Sequence, residues 1–257
     1  MSSQRFRLLI LSLLLSGLTV CLHLTGYATV AERISVTQFH SSSLQNGAPE
    51  GWELEKRKGT PVIRLEKISK INLMNILPRL PVKKDAGDYY VLRMTSDARS
   101  AFGIRKAMQV DLKEHPFLNW KWAVTKLPEG GDVRKKDSDD QAMQVYIAFK
   151  PAGFTANPLS APLLGYIWDT EAPVGTTCRS AQTNGDKVRY IVMRNKINKT
   201  GRWYTEKRNV YKDYRVLFSD INGGEPPEIM GIVLYINSQR TQSGAEALIH
   251  DVFFSKS

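Results

Sequence analysis

The chain is poor in the residues most enzymes use for chemistry. It holds two cysteines and four histidines in 257 residues. Cys21 lies in an N-terminal apolar stretch; if that stretch is removed, Cys178 stands alone and no internal disulfide forms. His40, His115 and His250 are far apart and lack the short spacing of zinc ligands. No GxSxG elbow, HExxH helix or phosphate-cradling GxxxxGK occurs. These absences set aside zinc hydrolases, elbow-type serine hydrolases and P-loop nucleotide enzymes. Cys178, in the polar stretch GTTCRS, has no histidine placed beside it to activate a thiolate. Glycine and proline are too sparse for long disorder.

The N-terminus stands apart. Arg5 and Arg7 precede an apolar run from Leu8 to Leu22, and small residues follow. This is the layout of a secretory signal peptide over residues 1–28, cleaved after Ala28. The run is short for a membrane span of ~20 residues, so no transmembrane segment is expected after cleavage. Val20, before Cys21, is not the small residue that lipid attachment requires. A periplasmic or secreted location follows. The net charge of +11 falls by two with the signal and stays strongly basic. Anionic glycans and headgroups fit such a surface; no feature calls for specific nucleic-acid binding.

The dominant hydrophobic period is two, the period of strands. In MQVYIAFK, Met143, Val145, Ile147 and Phe149 share a face opposite Gln144, Tyr146 and Lys150. LNWKWAV repeats the pattern, with Trp120 and Trp122 opposite Lys121. Further strands are expected at 89–95, 104–112, 187–193, 228–236 and 247–255. The 228–236 segment is apolar on both faces, as a central strand would be. One segment, 209–219, carries helical spacing, with Asn209 as its cap. ISKINLMNILPRL (68–80) is ambiguous between helix and loop. The pattern predicts an all-β fold, a single-domain β-sandwich over residues 32–257 with one packed α-helix near 209–219.

RKKDSDDQAMQVYIAF holds the densest acidic cluster, Asp137, Asp139 and Asp140, just before a strand. Three readings are open. Oxygen donors suit Ca²⁺, but the calcium-loop glycine and distal glutamate are missing and three cations precede the cluster. No other cofactor or metal is expected. One aspartate can clamp an arginine through paired hydrogen bonds. A glycosidase pair would need a second carboxylate roughly 5–10 Å away, with Asp169, Glu171, Asp213 and Asp251 as candidates. Aromatics supply the other handle: Tyr146 lies opposite its strand's apolar stripe, and Tyr166 and Trp168 share a face in LLGYIWD. Trp120 and Trp122 read as core; Trp168 is either core or part of a sugar-stacking platform with Tyr146.

The order LNWKWAV, KDSDDQAMQVYIAF, LLGYIWD, GRWYTEKRNVYKDYRVLF and IMGIVLYINSQRTQSGAEALIHDVFFS resembles the bacterial domain-of-unknown-function family 3047. The resemblance covers nearly all of the chain beyond the signal. It implies an exported β-sandwich, jelly-roll-like and similar to carbohydrate-binding modules, and no particular activity. It singles out Asp139-Asp140 rather than Asp137, and suggests that this pair clamps Arg208 at the helix start. It also implies an acidic stretch where this chain reads INSQRT, with Asn237 and Gln239 in place of acids. The expected function is non-catalytic binding of a glycan or other envelope component through Asp139, Asp140, Tyr146, Trp168, Asp169, Arg208 and Lys121. The alternatives are a hydrolase or lyase using paired carboxylates on envelope polysaccharide, and a structural or protein-interaction module.

Overall fold

Alternating apolar residues can be buried only if two sheets face each other, and the chain does this. A computed structural model describes residues 32–37, 39–68, 89–151, 161–182 and 185–257. Glu32–Ser257 forms one compact unit. The expected signal peptide and almost all of the ambiguous 68–80 segment lie outside the described residues.

One sheet contains β1 (Arg33–Ser35), β3 (Val62–Ile68), β4 (Tyr89–Ser96), β6 (Phe117–Lys126), β11 (Tyr204–Asn209) and β13 (Ala245–Ser255). Its order is β11-β6-β13-β4-β3, with β1 paired to the end of β13. The other contains β2 (Glu53–Lys58), β5 (Ala101–Ala107), β7 (Met143–Phe149), β8 (Leu163–Trp168), β9 (Thr177–Arg179), β10 (Val188–Arg194) and β12 (Ile229–Asn237). Its order is β2-β5-β12-β7-β8-β10-β9. All its pairs are antiparallel except β8 with β10. The chain passes repeatedly between the sheets, giving a jelly-roll-like sandwich. Among the described residues no helix is long and apolar enough to cross a membrane.

The core lies between the sheets. Trp120 and Trp122 of β6 meet edge to face at 5.5 Å, with Tyr166 5.2 Å from Trp120 and Trp168 5.5 Å from Trp122. All four are fully buried. Trp168 is therefore core, and the expected platform shared by Trp168 and Tyr146 does not form; the two side chains leave their sheet on opposite faces. Beneath this seam lie the apolar faces of β7 and β12, including Val145, Ile147, Ile232 and Leu234.

The expected strand at 104–112 ends early. β5 stops at Ala107, and the Asp111 carboxylate accepts the Lys113 amide to make a turn. Val110 and Leu112 are still buried, so the alternation marks burial there and not an extended ladder.

The single α-helix, α1 (Val210–Leu217), is capped by the Asn209 side chain, which accepts the Lys212 amide at 2.9 Å. Tyr214 stacks on Phe218 at 4.4 Å and meets Phe149 at 4.5 Å. Asp213, on α1, accepts two hydrogen bonds from Arg208, at 2.9 and 2.5 Å. It also accepts the Tyr166 hydroxyl at 2.8 Å. An aspartate–arginine clamp thus does hold the helix to the sandwich. Its aspartate is Asp213, five residues from Arg208, and not the expected Asp139-Asp140 pair.

Asp213→Ala leaves Arg208 and the buried Tyr166 hydroxyl without their acceptor and is expected to cost about 2–3 kcal/mol. Tyr166→Phe removes one hydrogen bond and should cost about 1 kcal/mol. Urea unfolding of both, and of the double variant, measures this. Strictly additive losses would show that the carboxylate does not join the two elements.

Candidate functional site

The seven-stranded sheet has a second face, turned away from the core. Register places Arg105, Val233, Tyr146, Gly165, Tyr190 and Cys178 in one cross-strand row. The neighbouring row runs through Glu55, Gly103, Tyr235, Gln144 and Ile167. Three tyrosines and two glycines therefore share this face. A Cβ at Gly165 would come within 2.8 Å of the Tyr190 ring and 2.9 Å of the Tyr146 ring, and one at Gly103 within 2.7 Å of the Tyr235 ring. The rings lie down across bare backbone, and only glycine leaves room for them. Tyr146 sits 6.0 Å from Tyr190 and 6.5 Å from Tyr235, centroid to centroid. Tyr190 is buried at 4% exposure, while Tyr146 and Tyr235 remain partly exposed.

A hydrogen-bonded chain leads from these rings to the aspartates. The Tyr190 and Tyr146 hydroxyls are 3.1 Å apart, and Tyr146 donates to the Gln144 carbonyl. Gln144 donates to Asn237 at 2.5 Å. Asn237 in turn donates to the Asp139 backbone carbonyl at 2.8 Å and to the Asp140 carboxylate at 2.9 Å. The other Asp140 oxygen accepts the Arg240 and Thr241 amides at 2.8 and 2.6 Å. Asp140 is thus fully engaged in tying the start of β7 to the turn after β12. The Asp139 oxygens accept the side-chain amides of Gln141 at 3.0 Å and Gln182 at 2.8 Å. Gln182 accepts Arg240 at 2.6 Å.

Burial sets the protonation of this face. It raises the Asp139 carboxyl above its ordinary value, against the Gln182 and Gln141 amides that favour the charged form. It pushes Tyr146 well up and Tyr235 to about 12, so both hydroxyls stay protonated. It lifts Cys178 to about 11, leaving a thiol rather than a nucleophilic thiolate. Asp169 lies deeper. It accepts the Val133 amide at 2.9 Å and the Ala172 amide at 2.7 Å, anchoring two loops, and burial raises it to about 6.

A cleft of about 440 Å³ lies beside Asp139-Asp140, lined by Arg57, Lys58, Ala101, Asp137, Gln239 and Arg240. A larger one, about 640 Å³, runs along Val62, Thr95, Lys126 and Glu246 on the other sheet. Its inner carboxylate, Glu246, is already tied to Arg93, Thr95 and Thr125.

The seven residues expected at the site thus fall in several places. Asp139 and Tyr146 come together on the outer face, with Asp140 as their support and Asp169 behind the flanking loops. Trp168 is in the core. Arg208 is on the six-stranded sheet, with Asp213. Lys121 is on that sheet's outer face, 3.3 Å from Asp251, where burial lowers its pKa against the pull of Asp251. Asp137 is exposed on a 3-10 turn, and Glu171 pairs with Lys196. Among the described residues no group of three His, Cys, Asp or Glu side chains is placed to hold a metal. Tyr190, Tyr235, Gln144, Gln182 and Arg240 escaped the sequence reading. The signal for one of them was present: Tyr235 occupies the parity opposite Met230, Ile232, Leu234 and Ile236 of its strand.

The molecule is thus a two-sheet β-sandwich whose larger sheet carries a tyrosine-and-amide surface. The family described as "Protein of unknown function (DUF3047)" matches residues 81–253, and the chain belongs to it. No curated protein matches. Among solved structures, the chain is similar to the family 11 carbohydrate-binding module of the cellulase Lic26A-Cel5E of Clostridium thermocellum: 8% identity, 89% of this chain and 97% of that one, TM-score 0.40. It is similar to the Trichoderma harzianum endoglucanase 3 of family GH12, at 9% identity over 87% and 97% of the two chains, TM-score 0.39. It is also similar to the xyloglucanase domain of NopAA from Sinorhizobium fredii, at 13% identity over 87% and 98%, TM-score 0.39. Likeness at this level transfers neither a ligand nor an activity.

Asp169 gives a pH test of the loop anchor. Its folded value of about 6 lies above the ordinary 3.8. Between these values the folded state holds the proton and the unfolded state has lost it, so this group makes stability fall as pH rises from about 4 to 6. The fall amounts to about 3 kcal/mol and is complete above that window. Asp169→Asn lacks it. The unfolding free energy of the wild type relative to the variant should therefore drop by that amount between pH 4 and 7. A pH-independent difference would contradict the anchor's buried, late-titrating carboxyl.

Proposed function

We propose that this chain is an exported, non-catalytic carbohydrate-binding protein that holds a glycan of the cell envelope on the outer face of its seven-stranded sheet. The observation that carries this reading is the pair of partly exposed rings, Tyr146 and Tyr235, laid over glycines beside amide and carboxylate groups. A sugar ring offers an apolar C–H face and a rim of hydroxyls. Aromatic rings receive the face, and fixed polar groups take the rim. Gln144 is held by Asn237 and Tyr146, and Asp139 and Gln182 by their mutual hydrogen bond, so little entropy is lost in ordering them. The basic leader and apolar run at residues 5–22 support export to a compartment where such glycans are met.

Binding of this kind needs no cofactor. Glycoside hydrolysis would need a free acid and a free base on either side of the bond. Asp140 has both oxygens committed to three donors, and each Asp139 oxygen accepts an amide. The raised pKa values of Asp139 and Asp169 favour the hydrolase alternative.

The test is a glycan array followed by calorimetry. Tyr235→Ala and Tyr146→Ala should each weaken binding about tenfold or more, equal to 1.4 kcal/mol. Tyr235→Ala should leave the melting temperature nearly unchanged. Gly165→Ala, which adds no polar change, should also weaken binding by forcing the Tyr146 and Tyr190 rings apart. Unaltered affinity in all three variants would place the ligand elsewhere. Release of reducing ends that Asp139→Asn abolishes would establish the hydrolase instead.

A further inference from the structure

The cleft beside the tyrosines gathers three cations that no carboxylate among the described residues pairs. Most arginines here are neutralised by carboxylates. Arg93 pairs with Glu66 and Glu246, Arg105 with Glu53, Arg189 with Asp220, Arg194 with Glu206 and Arg208 with Asp213. Among the described residues, Arg57, Lys58 and Arg240 have no carboxylate within salt-bridge distance, and all three line one cleft. Arg240 spends one nitrogen on the neutral carbonyl of Gln182. The cleft's one carboxylate, Asp137, is exposed and faces three cations.

The backbone puts Arg57 there. The register between β2 and β5 shifts between Lys56 and Lys58, so Arg57 is the extra residue of a bulge on an edge strand. Bulges re-aim a side chain, and Arg57 lies near enough to Tyr235 to oppose the burial that raises that hydroxyl. The cleft also holds an unused polar group. The Gln239 side-chain oxygen is buried with no hydrogen-bond partner. The same amide, turned over, presents its NH₂ to an anion.

From this juxtaposition we infer that the bound glycan is acidic: a sugar on Tyr235 and Tyr146 places an anionic substituent, a carboxylate in the first instance, among Arg57, Lys58 and Arg240. The inference rests on the tyrosine face being the binding surface. Arginine matches a carboxylate with two parallel hydrogen bonds, and a lysine beside it adds charge without demanding geometry. The cleft thus selects for charge, while the tyrosines select for the sugar ring.

The experiment titrates the full chain with an oligogalacturonate, with the same oligosaccharide after its carboxyl groups are reduced, and with sulfated and phosphorylated oligosaccharides. The oligogalacturonate should bind at least tenfold more tightly than its reduced form, and its affinity should fall as NaCl is raised from 50 to 500 mM. Arg57→Gln with Lys58→Gln, two exposed positions, should abolish that preference at unchanged melting temperature. Arg240→Gln should weaken it independently. Preference for sulfate or phosphate over carboxylate, lost in the same variants, would keep the acidic-glycan inference and change the anion. Equal binding of the reduced and acidic forms overturns the inference but leaves the tyrosine platform standing. Binding of no oligosaccharide, neutral or acidic, overturns both.

Discussion

The aromatic seam between the sheets fixes which way every neighbouring side chain must point. Trp120 and Trp122 come from one sheet, Tyr166 and Trp168 from the other, and each ring is within 5.5 Å of another across or along the seam. Two of these indoles, Trp120 and Trp168, have ring N–H groups with no hydrogen-bond partner. An orphaned donor costs about 1–3 kcal/mol, so burial and close packing of the rings must outweigh it. Because Tyr166 and Trp168 face inward, Gly165, the residue before Tyr166, must face outward, as must Ile167 between them. Pairing Gly165 with Tyr146 on one side and Tyr190 on the other then creates the flat tyrosine patch. The outer site is the geometric complement of the inner core.

The polar architecture follows the same economy. Asp140 could have been a ligand, but its environment uses all of it. Asn237 donates to it, and two amides of the turn after β12 complete the set. An acid at position 237, as the family resemblance implies elsewhere, would bring a second carboxylate to within about 3 Å of Asp140 and raise the pKa of one of them. The amide in this chain removes that conflict: it accepts from Gln144, which accepts from Tyr146, and it donates to Asp140. A substitution that reads as the loss of an acidic site is, in space, the link between the aspartate knot and the tyrosine face.

Much of the sandwich was legible because burial on one face imposes a period of two. The strands at 143–149 and 118–124, the central strand near 228–236 and the Asn209-capped helix all follow from local pattern. The site was legible only in part, because it depends on register between strands far apart in sequence. Tyr146 was found from its parity. Sequence alone leaves Trp168 open between core and platform, because a shared face with Tyr166 does not say whether that face looks in or out. The arginine clamp was sought at long range, at Asp139 and Asp140, when α1 offered Asp213 one turn away. Gly103 and Gly165 were silent, since a glycine in a strand acquires meaning only when a ring is known to cross it.

Net charge shows the same limit. A surplus of basic residues says nothing about where they act, since most of a basic protein's cations can be matched locally. What sets Arg57, Lys58 and Arg240 apart is that, among the described residues, three cations without a carboxylate partner line one cleft, with Arg57 beside the Tyr235 ring. Here an edge-strand bulge, a turn held by Asp140 and a buried amide oxygen without a partner converge on the same cleft. Two backbone features and one buried side-chain oxygen meeting at a patch of like charge say more about what that patch could hold than the overall charge does.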